Sequence, residues 1–161
     1  MIKKFLQKNP ASSPFTFENM IYRKRALYTL DRSLFNAFGK KGYRLAAHHL
    51  KILKNLLDKY DIGLTLVIYP WPDQIFQNDL NSVHVRFWKK WTFDNHVDFI
   101  NLFPYFVSKR NKEENIQFIK DHYILGDIHF NKLGNKVFAT NFLKEWAPKG
   151  NKKRLRSRHK K

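Results

Sequence analysis

Cysteine is absent from the 161 residues. That removes disulfides, thiolate metal sites and a cysteine nucleophile together. It leaves the compartment open, because a cysteine-free chain is compatible with either redox environment. Carboxylates are few, 13 Asp and Glu against 31 Lys and Arg, so the net charge is +18. Long apolar runs are missing too: the longest, around Leu64–Tyr69, is far short of the ~20 residues a membrane-spanning helix needs. The segment Met1–Lys8 starts basic, but no apolar stretch follows before Pro10, so it is not a signal peptide. With no targeting or spanning segment in the chain, the localisation is unknown and cytoplasmic by default.

Hydrophobic residues make up 43% and aromatic residues 16% of the chain. That composition belongs to a folded domain, and the length suits one domain with a real core. Part of the charge is terminal. Lys149, Lys152, Lys153, Arg154, Arg156, Arg158, Lys160 and Lys161 contribute eight of the +18 with no acid among them, leaving +10 on the rest. Such a surface attracts polyanions with a salt-sensitive, sequence-independent affinity. The same tail also reads as a solvated, disordered segment that meets anions incidentally.

Along the chain, residues 1–20 form an irregular lead-in broken by Pro10, Ser12, Ser13 and Pro14. Residues 21–147 carry the domain, and 148–161 the basic, disordered tail. Tyr22–Phe38 is helical in character, ending near Gly39 and Gly42. Leu45, His49, Ile52, Leu53, Leu56, Leu57 and Tyr60 then recur at helical spacing, and Gly63 marks the exit. The apolar, β-branched run Leu64–Tyr69, bounded by Gly63 and Pro70, is the pattern of a buried parallel strand. A loop from Pro70 to Gln74, a helix over Val83–Thr92 and a second strand over His96–Leu102 follow. Pro104–Asp121 reads as loop or short helix. The last helix starts at Asn131 or Lys132, shows Leu133, Val137, Phe138, Phe142 and Trp146 on one face, and ends at Pro148. This order predicts an α/β fold, a short parallel sheet flanked by helices.

Chemistry concentrates in Gly126-Asp127-Ile128-His129-Phe130-Asn131-Lys132-Leu133-Gly134. Residues two apart in extended or turning backbone project to the same side, so Asp127 can reach the His129 imidazole, fix its tautomer and stabilise its protonated form. An imidazole held that way is a general base. Asn131 either caps the last helix or adds a loop hydrogen bond, and Gly134 allows close backbone approach in the first turn. The plainer alternative is a pair of polar loop residues beside a helix start. A metal site from His48, His49, His122, Asp127 and His129 lacks ligand spacing, so no metal and no cofactor is expected.

The block resembles the closing motif of the SGNH (GDSL-like) hydrolases, and the likeness extends over about Leu45–Leu143. It includes the helix into a strand ending in Tyr69-Pro70-Trp71-Pro72, the second strand Asp98–Leu102, and Tyr-Ile-x-Gly-Asp-x-His-x-Asn-x-x-Gly from Tyr123 to Gly134. The resemblance implies a partial flavodoxin-like three-layer sandwich. It implies Asp127 as orienting acid, His129 as general base, and Trp71 and Pro72 at the pocket edge. The substrate it implies is an acyl ester, with carbohydrate as one carrier. The spacing here is Asp-x-His where the family usually has Asp-x-x-His, as in some polysaccharide O-acetyltransferase relatives, so hydrolysis and acyl transfer both stay open. The family's nucleophile sits in a Gly-Asp-Ser motif, and none occurs. Ser12, Ser13, Ser33, Ser82, Ser108 and Ser157 are the serines present, and none lies in a nucleophile pattern; Ser82 reads as a helix N-cap. The chain is therefore expected to be truncated on its N-terminal side and to lack the nucleophile, and a domain short of its first strand is expected to self-associate. The alternative function is a non-catalytic basic module binding nucleic acid or another polyanion through 149–161, with Trp71, Trp88, Trp91 and Trp146 either stacking on ligand or packed in the core.

Overall fold

The computed structural model describes residues 20, 21 and 24–158, with side chains at 20–21 and 27–146. The expected lead-in thus lies outside the described residues, except Met20, which is fully buried beside Ile21. The fold is mixed α/β and mostly helical, with a short two-stranded parallel sheet flanked by helices. Its elements are α1 (Lys24–Leu30), α2 (Arg32–Leu34), a π-helical turn (Phe35–Gly39), α3 (Lys40–Lys59), β1 (Thr65–Ile68) and α4 (Pro72–Phe76), then α5 (Val83–Asp94), β2 (Asp98–Asn101), α6 (Phe103–Phe106), α7 (Lys112–His122) and α8 (Lys132–Arg158).

The glycines at 39 and 42 do not end a helix. The break falls earlier, at Asp31, whose carboxylate accepts from Ser33 N at 2.8 Å and Leu34 N at 3.0 Å. From there the chain runs helically through both glycines into α3. A glycine costs a helix about 1 kcal/mol and does not by itself stop one. Nor does Gly63 close α3: the helix ends at Lys59, and Asp61 takes the left-handed turn with φ 54°.

α3 meets the rest of the fold through Tyr43, whose ring stacks on Phe87 at 4.6 Å between centroids, and through Ala47 and Leu50. The stripe that the sequence singles out lies elsewhere. Leu45, Ile52, Leu53 and Leu56 are between 41% and 55% exposed. At ~100° per residue, positions 43, 47 and 50 sit nearly opposite 45, 52 and 56. The helix is therefore apolar over most of its girth, and the fold covers only one side of it.

β1 and β2 pair in register from Thr65 opposite Asp98 to Ile68 opposite Asn101. Ile68, Ile100, Leu102, Phe103, Phe106 and Ile119 fill the core around them. The stretch read as loop or short helix is two helices, and α7 starts with a reciprocal cap in which Glu114 N donates to Asn111 Oδ1 at 2.8 Å and Asn111 N donates to Glu114 Oε2 at 2.9 Å. The last helix does not end at Pro148; its backbone continues to Arg158, so the expected tail is helical over that range. A proline removes one N–H donor, and a helix can accommodate that loss. Residues 159–161 lie outside the described residues. Among those described, no helix is long and apolar enough to cross a membrane.

Candidate active site

The loop from Tyr123 to Asn131 joins α7 to α8 and carries both residues of the Asp-x-His pair. His129 Nδ1–H donates to Asp127 Oδ1 at 3.0 Å. A carboxylate only accepts, so this contact puts the proton on Nδ1 and leaves the Nε2 lone pair outward. The imidazole side chain is 74% exposed and the carboxylate 40%. Asp127 Oδ1 also accepts from Ile128 N at 2.6 Å, which fixes the carboxylate on its own backbone.

Local chain chemistry explains why the loop holds this shape. Gly126 sits at φ 78°, a left-handed turn that glycine adopts without side-chain strain. Two backbone bonds close the turn, Asp127 N to Ile124 O and Ile124 N to His129 O, both at 2.9 Å. Asn131 serves both sides of the junction. Its Oδ1 accepts from Leu133 N at 2.9 Å and Gly134 N at 3.1 Å, capping α8, while its Nδ2 donates to Asp121 O at 2.8 Å. Gly134 lies so close to α7 that a Cβ there would stand 2.1 Å from His122 O. The bend between α7 and α8 thus needs glycine at 134.

Underneath, Phe130 anchors the loop in the core. Its ring stacks on Phe106 at 5.0 Å and approaches Tyr123 at 4.8 Å and Tyr69 at 5.2 Å between centroids. Buried Tyr123 donates its hydroxyl to Pro70 O at 2.8 Å. These contacts tie the His129 loop to the C-terminal end of β1. Trp71 and Pro72, the expected pocket edge, follow directly: Pro72 is buried at the first position of α4 and Trp71 is half-buried. Tyr69, Ile124, Leu125 and Leu133 are exposed apolar side chains on the same segments.

No nucleophile joins the pair: among the described residues, no serine hydroxyl hydrogen-bonds His129. Ser33 Oγ donates to Asp31 Oδ1 at 2.6 Å, and buried Ser82 caps α5 by accepting from His84 N at 3.2 Å. Ser108 lies exposed after α6, while Ser12 and Ser13 and the side chain of Ser157 fall outside the described residues. The histidines weighed as metal ligands are dispersed. His48 and His49 face each other on α3 at 5.4 Å, and the His122 ring stacks on Phe118 at 3.9 Å with its Nδ1 2.8 Å from Phe118 O.

Two polar groupings join residues far apart in the chain. His84 Nδ1 and the Tyr43 hydroxyl share a 2.7 Å hydrogen bond. Burial lowers the His84 pKa to about 4 and raises that of Tyr43, so the imidazole is neutral. The second centres on Gln74, whose Nε2 donates to Thr29 Oγ1 at 3.1 Å and Ser82 Oγ at 3.4 Å, and whose Oε1 accepts from Trp71 N at 2.9 Å. Pro72 at the first helical position with Gln74 two residues on is a helix-start signal that anticipates the last bond. Nothing in the sequence announces the contacts made over longer separations. A cavity of about 510 Å³ lies beside this second group, lined by Tyr28, Asp31, Asn36, Asp79 and Arg86, and includes no residue of the 123–131 loop. Comparison with protein-family models, with curated proteins and with solved structures finds no match to this chain.

Proposed function

We propose that this chain is the acid–base portion of an SGNH-like serine hydrolase, a partial flavodoxin-like three-layer sandwich acting on ester-linked acyl groups. The observation that carries the proposal is the 3.0 Å Asp127–His129 contact on a braced, solvent-facing loop. His129 Nε2 takes the proton of an attacking serine as its oxygen adds to the ester carbonyl. Asp127 stabilises the imidazolium, which returns the proton to the departing alcohol as the tetrahedral intermediate collapses. Water or a sugar hydroxyl then accepts the acyl group in a second, equivalent step. The serine comes to Nε2 from outside the described contacts of His129. A base held this way contributes on the order of 10²–10⁴ in rate. The exposed rim of Tyr69, Ile124, Leu125 and Leu133 supports an acyl chain as the neighbouring group.

The test is fluorophosphonate labelling of the folded chain, mapped by mass spectrometry. No serine of the chain alone is expected to take the label; adding a segment that carries the Gly-Asp-Ser serine is expected to give one labelled serine, lost in His129→Ala. A serine of the chain labelled without that segment, or labelling with it that is unchanged in His129→Ala, contradicts the proposal.

The net charge of +18 favours a second activity, binding of nucleic acid or another polyanion through residues 149–161. Affinity for a DNA duplex then falls steeply with salt, by a log–log slope of about −0.9 per phosphate neutralised. Deleting 149–161 reduces that slope. Equal binding and slope without them contradicts this second activity.

A further inference from the structure

β1 is composed as an interior strand and placed as an outer one. Thr65, Leu66, Val67 and Ile68 carry no charge and belong to the continuous apolar run from Leu64 to Tyr69. Strands of that pattern are ordinarily covered on both faces and paired on both sides. Here the sheet of the described residues has only β2 beside β1. Leu64 O and Ile68 O accept from Asp98 N and Leu102 N, and bonding direction alternates along a parallel strand. Thr65 and Val67 therefore turn their N–H and C=O groups to the opposite edge. That edge has none of the lysines, prolines or bulges that usually blunt an edge strand.

The helix that precedes β1 in the chain also exposes apolar side chains, Leu45, Ile52, Leu53 and Leu56, and exposed Tyr60 and Ile62 follow it in sequence before β1. Exposed Lys41 and Lys59 border this stripe, and exposed Lys40, Arg44 and Lys51 lie beyond them on the polar flank of the helix. The single carboxylate of α3, Asp58, is already paired with Lys54.

We infer that this surface receives a separate, acidic polypeptide, which adds a β-strand to the Thr65–Val67 edge and lays an apolar face rimmed with carboxylates on α3. The inference is independent of the ester chemistry. Free backbone groups on a strand edge select a polypeptide, because a lipid surface cannot complete their hydrogen bonds. Charge selects against the chain itself. A second copy brings another +18, residues 1–19 offer Glu18 against Lys3, Lys4 and Lys8, and residues 149–161 hold no acid.

The test uses the full chain and a synthetic strand peptide, alternating valine and threonine with two glutamates at each end. Amide exchange is followed by NMR. In the chain alone, Leu66 and Ile68 are protected by β2, while Thr65 and Val67 exchange freely. The peptide is expected to slow Thr65 and Val67 by about tenfold or more, since edge pairing closes those amides to solvent. A peptide with proline at its centre leaves them unchanged, one with lysines in place of glutamates binds more weakly, and the exposed-face variant Leu53→Glu/Leu56→Glu loses protection. The inference is overturned if the glutamate peptide leaves Thr65 and Val67 unprotected. It is equally overturned if they become protected with rising protein concentration alone, which assigns the edge to a second copy. Perturbation of α3 by phosphatidylglycerol vesicles without any response to the peptide assigns the surface to lipid and also overturns it.

Discussion

The junction of α7 with α8 and the outer face of α3 are both apolar by sequence, yet the fold treats them oppositely. At the junction, Phe130, Tyr123 and Phe106 interlock, Asn131 bonds both helices, and Gly134 rides against His122 O. On α3, Leu45, Ile52 and Leu56 have the same periodicity and stay exposed. Helical periodicity reports that a face is apolar, and it does not report whether this chain supplies the covering. The packed end holds the candidate chemistry, and the uncovered end carries the proposed interaction surface.

Substitutions can break this contrast, and the largest effects belong to the junction. Phe106→Ala removes a fully buried ring from beneath Phe130 and is expected to cost about 3–5 kcal/mol in urea unfolding. Leu45→Ala or Leu56→Ala, on the open face, is expected to stay within about 0.5 kcal/mol. Losses of equal size at both places would mean that α3 is covered in solution.

The glycines give a paired test with opposite signs. Gly134→Ala drives a Cβ into His122 O and is expected to cost about 1–3 kcal/mol or more. Gly42→Ala, with nothing within 4 Å of its Cβ, is expected to gain up to about 1 kcal/mol in helix propensity. Thermal unfolding of the two variants checks both signs.

Two further effects sharpen the comparison. His84 has its pKa lowered from 6.5 to about 4 by burial, so the unfolded chain binds the proton more readily. Stability from this group is therefore fully present above pH about 6.5 and falls as the pH drops toward 4, by at most about 3 kcal/mol. A His84→Gln variant that keeps the fold should lose that slope in urea titrations run between those pH values. Asn131→Ala removes the cap of α8 and is expected to cost about 1 kcal/mol, which a denaturation midpoint registers.

Much of the local architecture was legible because short-range chemistry decides it. The continuous apolar run at Leu64–Tyr69 is enough to place β1, and the Asp-x-His spacing is enough to anticipate a contact between the two side chains. The start of α8 follows from Asn131. What was not legible depends on partners far along the chain. Gly39 and Gly42 look like stops, yet the helix passes through them, because Asp31 had already supplied the break. The outward stripe on α3 was indistinguishable from an inward one, since the covered side is set by Phe87 and Trp88, some forty positions away. The Tyr43–His84 pair, 41 residues apart, leaves no trace in either local pattern. At the candidate site, the oriented imidazole follows from spacing, whereas a serine partner requires a long-range contact that no local motif announces.

The proposed chemistry rests on the 3.0 Å contact by which Asp127 holds His129 through Nδ1 and leaves Nε2 to act as the base. Long-range proton–nitrogen NMR of the His129 ring tests it most directly, in the chain as it stands and in Asp127→Asn. The neutral ring is expected to carry its proton on Nδ1, and the Asn variant is expected to lose this preference. A ring protonated on Nε2, or one indifferent to the loss of the Asp127 carboxylate, would contradict it.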